Sequence, residues 1–403
     1  MTGQARMGRV EFVALMAMLG GTVAFSIDAM LPALKVIGTE LSPDAVNRAQ
    51  LVVTSFVFGM GIGTFFVGPV SDAFGRKSVI LAGTLLYVTG AVLAAVTGSL
   101  ELLIVARALQ GLGVSAARVV SMAIIRDLYK GREMARLMSF VMMVFALVPA
   151  IAPLIGAGII ALTGWRGIFA SFVLFALIYS LWLGLRLTEP LPPEHRRPFR
   201  ARALWAAAKE VISTPVVRMA IAVQTLCFGA LFASLSSIQP IMADSFGREA
   251  QFPYWFAMIA LVSGCFSLLN ASLVMRLGMR RLINFALTGQ AVICSCVLVA
   301  LLIGLSEGLA FPVYIAWQTT VFIMITLTLG NLNALALEPL GHIAGMGASI
   351  TTGLATVGSV LLAIPVGLAF DGTPLPLMAG VAVFAVTGRM IMLRLDRAER
   401  VAI

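Results

Sequence analysis

The 403-residue sequence predicts an all-α membrane protein whose twelve transmembrane helices form two pseudo-symmetric six-helix bundles. Three observations carry that expectation. Sixty per cent of the residues are hydrophobic, only 11% are charged and the mean hydropathy is +1.02, which an aqueous globular domain does not tolerate. Apolar segments of about 18–25 residues recur along the whole chain; this length crosses ~30 Å of hydrocarbon as helix, and the ten-residue alternation of outer-membrane strands is missing. A short motif also recurs: "DAFGRKSVI" follows the second apolar run and "MRLGMRRLI" the eighth. Each places Gly before a basic pair, which reads as two related halves. Coincidence is the rival, because short basic turns often contain Gly and Arg.

The first span, 10–34, lacks a small-residue cleavage site and reads as a retained helix, not a signal peptide. Spans at 48–71, 78–98, 101–126, 137–161 and 167–187 complete an N-terminal half, 1–187. The link 188–215 follows; its prolines oppose early helix, whereas "RALWAAAKEVI" suits an amphipathic helix on the inner leaflet. The C-terminal half, 216–403, carries spans 216–241, 253–275, 282–304, 310–335, 345–369 and 375–394. With both termini in the cytoplasm, the cytoplasmic links and their flanks hold all but six of the 28 Lys and Arg. Lys35, Arg48, Arg166 and Arg248 fall on the other side, and Arg107 and Arg118 fall inside the fourth span. The net charge of +10 therefore reports orientation in a lipid bilayer, with no soluble basic face for nucleic acid.

Cys227, Cys265, Cys294 and Cys296 lie in apolar segments at spacings that fit neither a zinc cage nor a disulfide framework. No metal site and no cofactor are expected. His195 and His342 both fall in cytoplasmic links, so a membrane-embedded enzyme lacks the constellation it would need. A receptor is a further alternative. Without a Walker-type loop, transport would draw on an ion gradient.

In "GPVSDAFGRKSVI", residues 68–80, Gly68 permits close helix approach, Gly75 a tight turn, Asp72 a cap or ion pair, and Arg76 and Lys77 fix orientation. The whole pattern resembles the signature of the major facilitator superfamily. That resemblance implies a central cavity between the bundles. It also implies that Asp72 joins a charge network latching the cytoplasmic side in the outward-facing state, with Arg126 and Asp127 of "IIRDLY" as partners. In the fifth span, Pro149 and Pro153 free backbone carbonyls, and Gly156 and Gly158 admit a neighbour. The segment resembles the antiporter motif of that family, with Ala146 or Leu147 where the motif has its first glycine. "DAMLPAL", "RALQGLG", "MSFVMMVFALVPAIAPLIG" and "LALEPLGHIAGMGAS" resemble stretches of the bicyclomycin- and chloramphenicol-resistance branch of drug/proton antiporters. Proton-coupled export of small amphiphilic compounds, of multidrug or phenicol type, from the bacterial inner membrane is what this resemblance implies, and a monomer is expected.

An aspartate at membrane depth costs several kcal/mol on insertion scales, so Asp28 in the first span is a proton-site candidate. Counted from Leu34 and Glu101, it and Arg107 lie at similar depth, about 9 Å in, which makes a contact feasible. The resemblance matches Arg107, Gln110 and Gly111 to the family's fourth-helix motif and associates the arginine with proton coupling. A static ion pair joining helices one and four is the competing reading. Arg118, eleven residues on, returns to the same helix face and makes the pathway net positive, favouring a neutral or anionic ligand. Pairing with carbonyls inside the bundle is its equal alternative. Gln110, Ser115, Gln224 and Gln318, with Phe25 and Phe232, are further cavity candidates, though packing serves any one of them as well. Glu338, near the cytoplasmic end of span ten, is expected to pair with loop arginines or His342. An anionic metabolite is the alternative cargo.

Overall fold

The computed structural model describes residues 7–196, 198–304 and 306–402, with side chains at 135, 145, 146, 302, 307 and 396–402 excepted; the parts of the expected halves and link beyond these lie outside the described residues. The chain is helical almost throughout: α1 (Arg9–Asp28), α2 (Leu34–Leu41), α3 (Leu51–Phe74), α4 (Arg76–Val96), α5 (Leu100–Leu128), α6 (Gly131–Thr163), α7 (Arg166–Arg186), α8 (Ala201–Ser213), α9 (Pro215–Pro240), α10 (Phe252–Leu277), α11 (Met279–Ile303), α12 (Glu307–Leu337), α13 (Ala344–Leu368) and α14 (Leu375–Ala402). Helix is the reason such sequences can enter hydrocarbon, since every backbone group is satisfied within its own segment. Among the described residues, eleven apolar helical stretches are long enough to cross a membrane; the one at Gly308–Leu368 folds back on itself as α12 and α13, which makes twelve spanning helices. The protein is a multi-pass membrane protein. α8 is the amphipathic helix of the link, with Ala207 and Val211 buried against α9 and α13 and Trp205 exposed.

The first span departs from expectation. It does not end at Leu34: α1 stops at Asp28, a 3-10 turn at Leu31–Ala33 follows with Pro32 in its first turn, and α2 carries the apolar stretch on to Leu41. Pro32 offers no N–H to the preceding turn, which accounts for the break. Asp28 therefore sits three residues beyond the midpoint of the Arg9–Leu41 stretch, deeper than a count from Leu34 suggests.

The helices pack by the same scheme twice. In the first half α3 packs on α5, α4 on α5 and α7, and α1 on α5, α6 and α7; in the second α10 packs on α12, α11 on α12 and α14, and α9 on α12, α13 and α14. The halves meet through α3 with α13 and α6 with α10, a pair of contacts that the same two-fold relation exchanges. The repeated turn keeps its conformation as well: Gly75 has φ 97° and ψ 153°, and Gly278 has φ 79° and ψ 155°. Only glycine occupies this region at low cost. The links at Gly75, Tyr129–Lys130, 187–200, Gly278 and 338–343 share one end of the bundle, called here the basic end, and the remaining links form the far end.

A β-carbon on Gly278 would meet open space, whereas one on Gly75 would sit 2.8 Å from a carboxylate oxygen of Glu189. Gly278→Ala should cost about 1–3 kcal/mol from backbone strain alone. Gly75→Ala should cost more. Denaturation of the purified variants checks this, and equal losses at the two positions would contradict it.

Candidate functional site

Arg107 on α5 has no accessible surface, and all its partners are neutral. Its Nε donates to the Val52 carbonyl at 3.1 Å, its Nη1 to Gln110 Oε1 at 2.6 Å and its Nη2 to the Ser26 carbonyl at 3.0 Å. The guanidinium carbon lies 4.3 Å from the centre of the Phe56 ring. Carbonyl dipoles and an aromatic face thus stabilise the buried charge without an acid. The expected Asp28–Arg107 ion pair is not formed in this structure. Arg107 instead grips the backbone of α1 two residues before Asp28, and Ser26 Oγ and the Tyr87 hydroxyl share a 2.7 Å hydrogen bond beside it.

Asp28 is 4% exposed, and among the described residues nothing pairs with or donates to its carboxyl. The helix break places it there, and α6 presses against the same point. A β-carbon on Gly156 would strike the Ala29 carbonyl, so glycine is what lets α6 close over the α1 break. Pro153 is buried and Pro149 half-buried in an uninterrupted α6. Gly158 is exposed with no neighbour near it, so it admits no helix in this structure.

At the basic end, Arg76 joins Asp72 at 2.6 Å and Asp127 at 2.8 Å, and its Nη1 also donates to Ser71 Oγ at 2.6 Å. Glu189 accepts the backbone N–H of Arg76 at 2.7 Å and of Lys77 at 3.1 Å. These are the first amides of α4, where the helix dipole favours a carboxylate. Lys77 Nζ donates to the carbonyls of Gly184 and Leu187. Asp72 and Asp127 therefore meet through Arg76, as a network inside the first half. Arg126 stays out of it, exposed and without a partner among the described residues. Glu189 escaped sequence reading, because nothing in a proline-rich link marks one acid as a helix cap. His342 pairs with Glu210 of α8 at 2.9 Å, not with Glu338.

A cavity of about 450 Å³ lies between the halves at the basic end, bounded by α3, α5, α6, α12 and α13 and reaching Gly20 on α1. Gly68 admits Ser349 of α13 at its rim. Of the expected cavity residues, Arg118 alone lines it, with Nη1 3.5 Å from Met60 Sδ. The others lie elsewhere. Gln110 holds Arg107; Ser115 bonds the Leu112 carbonyl and packs on Gly63; Phe25 packs on Phe172 and Phe175; Phe232 stacks on Phe228. Gln224 and Gln318 are buried with amide atoms left unpartnered. Asp28 is eight residues beyond Gly20, about 12 Å further toward the far end.

The far end is closed across the halves. Lys35 pairs with Asp244 at 2.6 Å, Asn47 donates to the Phe370 carbonyl at 2.6 Å, and Ser237 approaches Gln50 at 3.4 Å. Close α3–α5 packing was also missed: β-carbons on Gly59 and Gly63 would strike α5. Their G-x-x-x-G spacing was the available signal.

The model of the Major Facilitator Superfamily matches residues 13–363. An uncharacterized MFS-type transporter, YdgK, of Bacillus subtilis (strain 168) is 30% identical over 99% of this chain and 98% of its own length. A bicyclomycin resistance protein homolog of Haemophilus influenzae is 30% identical over 69% of this chain and 70% of its own. Among solved structures, a D-xylose–proton symporter superposes with a TM-score of 0.75 at 16% identity, covering 96% of this chain and 97% of that one; at this identity the likeness shows the fold alone.

The two ion-pair sites should differ in weight. Arg76, 8% exposed in its side chain, leaves two acids unpaired when removed, so Arg76→Met should cost about 1–3 kcal/mol. Lys35→Met breaks a pair whose side chains are 34% and 40% exposed and should cost under about 1 kcal/mol. Denaturant midpoints of the two variants decide, and the reverse order would contradict the assignment.

Proposed function

Because the chain belongs to the major facilitator superfamily, we propose that it is a proton-coupled antiporter that exports small amphiphilic compounds by alternating access. The basic end faces the cytoplasm of a bacterial cell, both termini lie on that side of the inner membrane, and the two six-helix halves rock as units about the α3–α13 and α6–α10 contacts. The relative described as a bicyclomycin resistance protein homolog supports export as the direction. On this reading the structure represents the state open to the cytoplasm, with the far end shut.

The observation that carries the proposal is Asp28, near mid-span, 4% exposed and without a counter-charge. A lone carboxylate in such a place is far costlier than a neutral carboxyl, so the group is a reason for a proton to be bound while the far end is shut. When the halves rock and water enters from the far end, the ionised form becomes affordable and the site exchanges its proton. Arg107 serves as the fastener of α1, not as the counter-ion: its bond to the Ser26 carbonyl ties the last turn of α1 to α5, the helix that also carries Arg118 into the cavity. Substrate arriving at Arg118 thereby acts on the element that holds the proton site.

In proteoliposomes with an imposed pH gradient, Asp28→Asn should lose uphill transport and keep ligand binding, since the amide is nearly isosteric and cannot carry the proton. Full gradient-driven accumulation by that variant would remove Asp28 from the coupling scheme.

A further inference from the structure

We propose that the cavity is an anion-selecting site, in which Arg118 receives a carboxylate or similarly compact anionic group of an amphiphile whose apolar body rests on a wall of methionines. This deepens the export reading and rests on it for the cavity's role.

Three arginines and one aspartate line the cavity. The aspartate, Asp72, is committed to Arg76, which Asp127 shares. Two guanidiniums, Arg118 and Arg126, remain without an acid among the described residues. The contrast within α5 is the telling point. Arg107 and Arg118 lie eleven residues apart, within about 20° on one helix face and ~16 Å along it. The first has three oxygen acceptors and an aromatic ring; the second has one thioether, a weak acceptor. A bundle that satisfies one buried guanidinium so fully and leaves its neighbour open toward a cavity leaves room for an external acceptor.

A carboxylate matches the planar fork of donors bidentately, and the pairing gains strength in a half-buried, low-dielectric place. Met122, Met138, Met142 and Met346 line the same space, unbranched and polarizable side chains that adapt to varied apolar shapes. A cationic amphiphile would meet Arg118 and Arg126 without acids, while Arg76 with Asp72 and Asp127 sums to one negative charge, so the cavity stays net positive by one. Charge therefore sets the selection, and the methionine wall leaves the carbon skeleton loosely specified.

Equilibrium binding of 2-naphthoate and 2-naphthamide to the purified protein, without any gradient, isolates the charge, because the two probes share one ring system. Wild type should bind the naphthoate more tightly by at least about tenfold, the scale of one charge-assisted hydrogen-bonded pair. Arg118→Gln should abolish the difference, and Arg118→Lys should keep part of it. Equal binding of the two probes by wild type, binding of neither, or an undiminished preference in Arg118→Gln would each overturn the assignment. The wild-type comparison stands even if a variant fails to fold. Failure here leaves the proton-coupling scheme intact, and failure of Asp28→Asn to uncouple transport leaves the anion site intact.

Discussion

A charge placed inside a helical bundle in hydrocarbon must be compensated inside that bundle, and the structure can be read as the set of answers to that requirement. Arg107 is answered by backbone carbonyls, a glutamine and a phenylalanine ring. Arg76 is answered by two aspartates, and the first amides of α4 by Glu189. Among the described residues, Asp28 and Arg118 have no such answer: one sits at the break in α1, the other in the cavity wall.

The two incomplete groups are joined through well-packed elements. α5 carries Arg107 and Arg118, glycines at 59, 63 and 111 bring α3 and α5 into backbone contact, and Gly156 brings α6 onto the α1 break. Such contacts leave little slack between α3 and α5 or between α6 and α1. The far-end contacts between Lys35 and Asp244 and between Asn47 and Phe370 are few and partly exposed, as befits an interface that must open.

Most of the fold was legible in the sequence. Most helix bounds agree with the apolar runs to within a few residues, because burial in lipid leaves the backbone no alternative to helix; the exceptions are the end of α1, the start of α6 and the end of α14. The amphipathic helix in the link and the repeated Gly–basic turn were legible for the same local reasons. What was hidden depends on three-dimensional partners. The α1 break was masked because Lys35 and Glu40 made α2 look like a link. The pairing of Arg107 with the Ser26 carbonyl was hidden because backbone acceptors carry no residue signature, so Asp28 was the visible partner and the wrong one for this conformation. Gln224 and Gln318 fell outside the cavity because helix composition does not tell which end of a bundle is open.

The central claim, that Asp28 holds a transported proton because no described residue neutralises it, is tested most directly by infrared difference spectroscopy of the purified protein at neutral pH. The account predicts the carbonyl stretch of a protonated carboxylic acid that is missing from Asp28→Asn and diminishes when substrate binds. A spectrum in which wild type and Asp28→Asn share the same carboxylic-acid bands, before and after substrate, would contradict it.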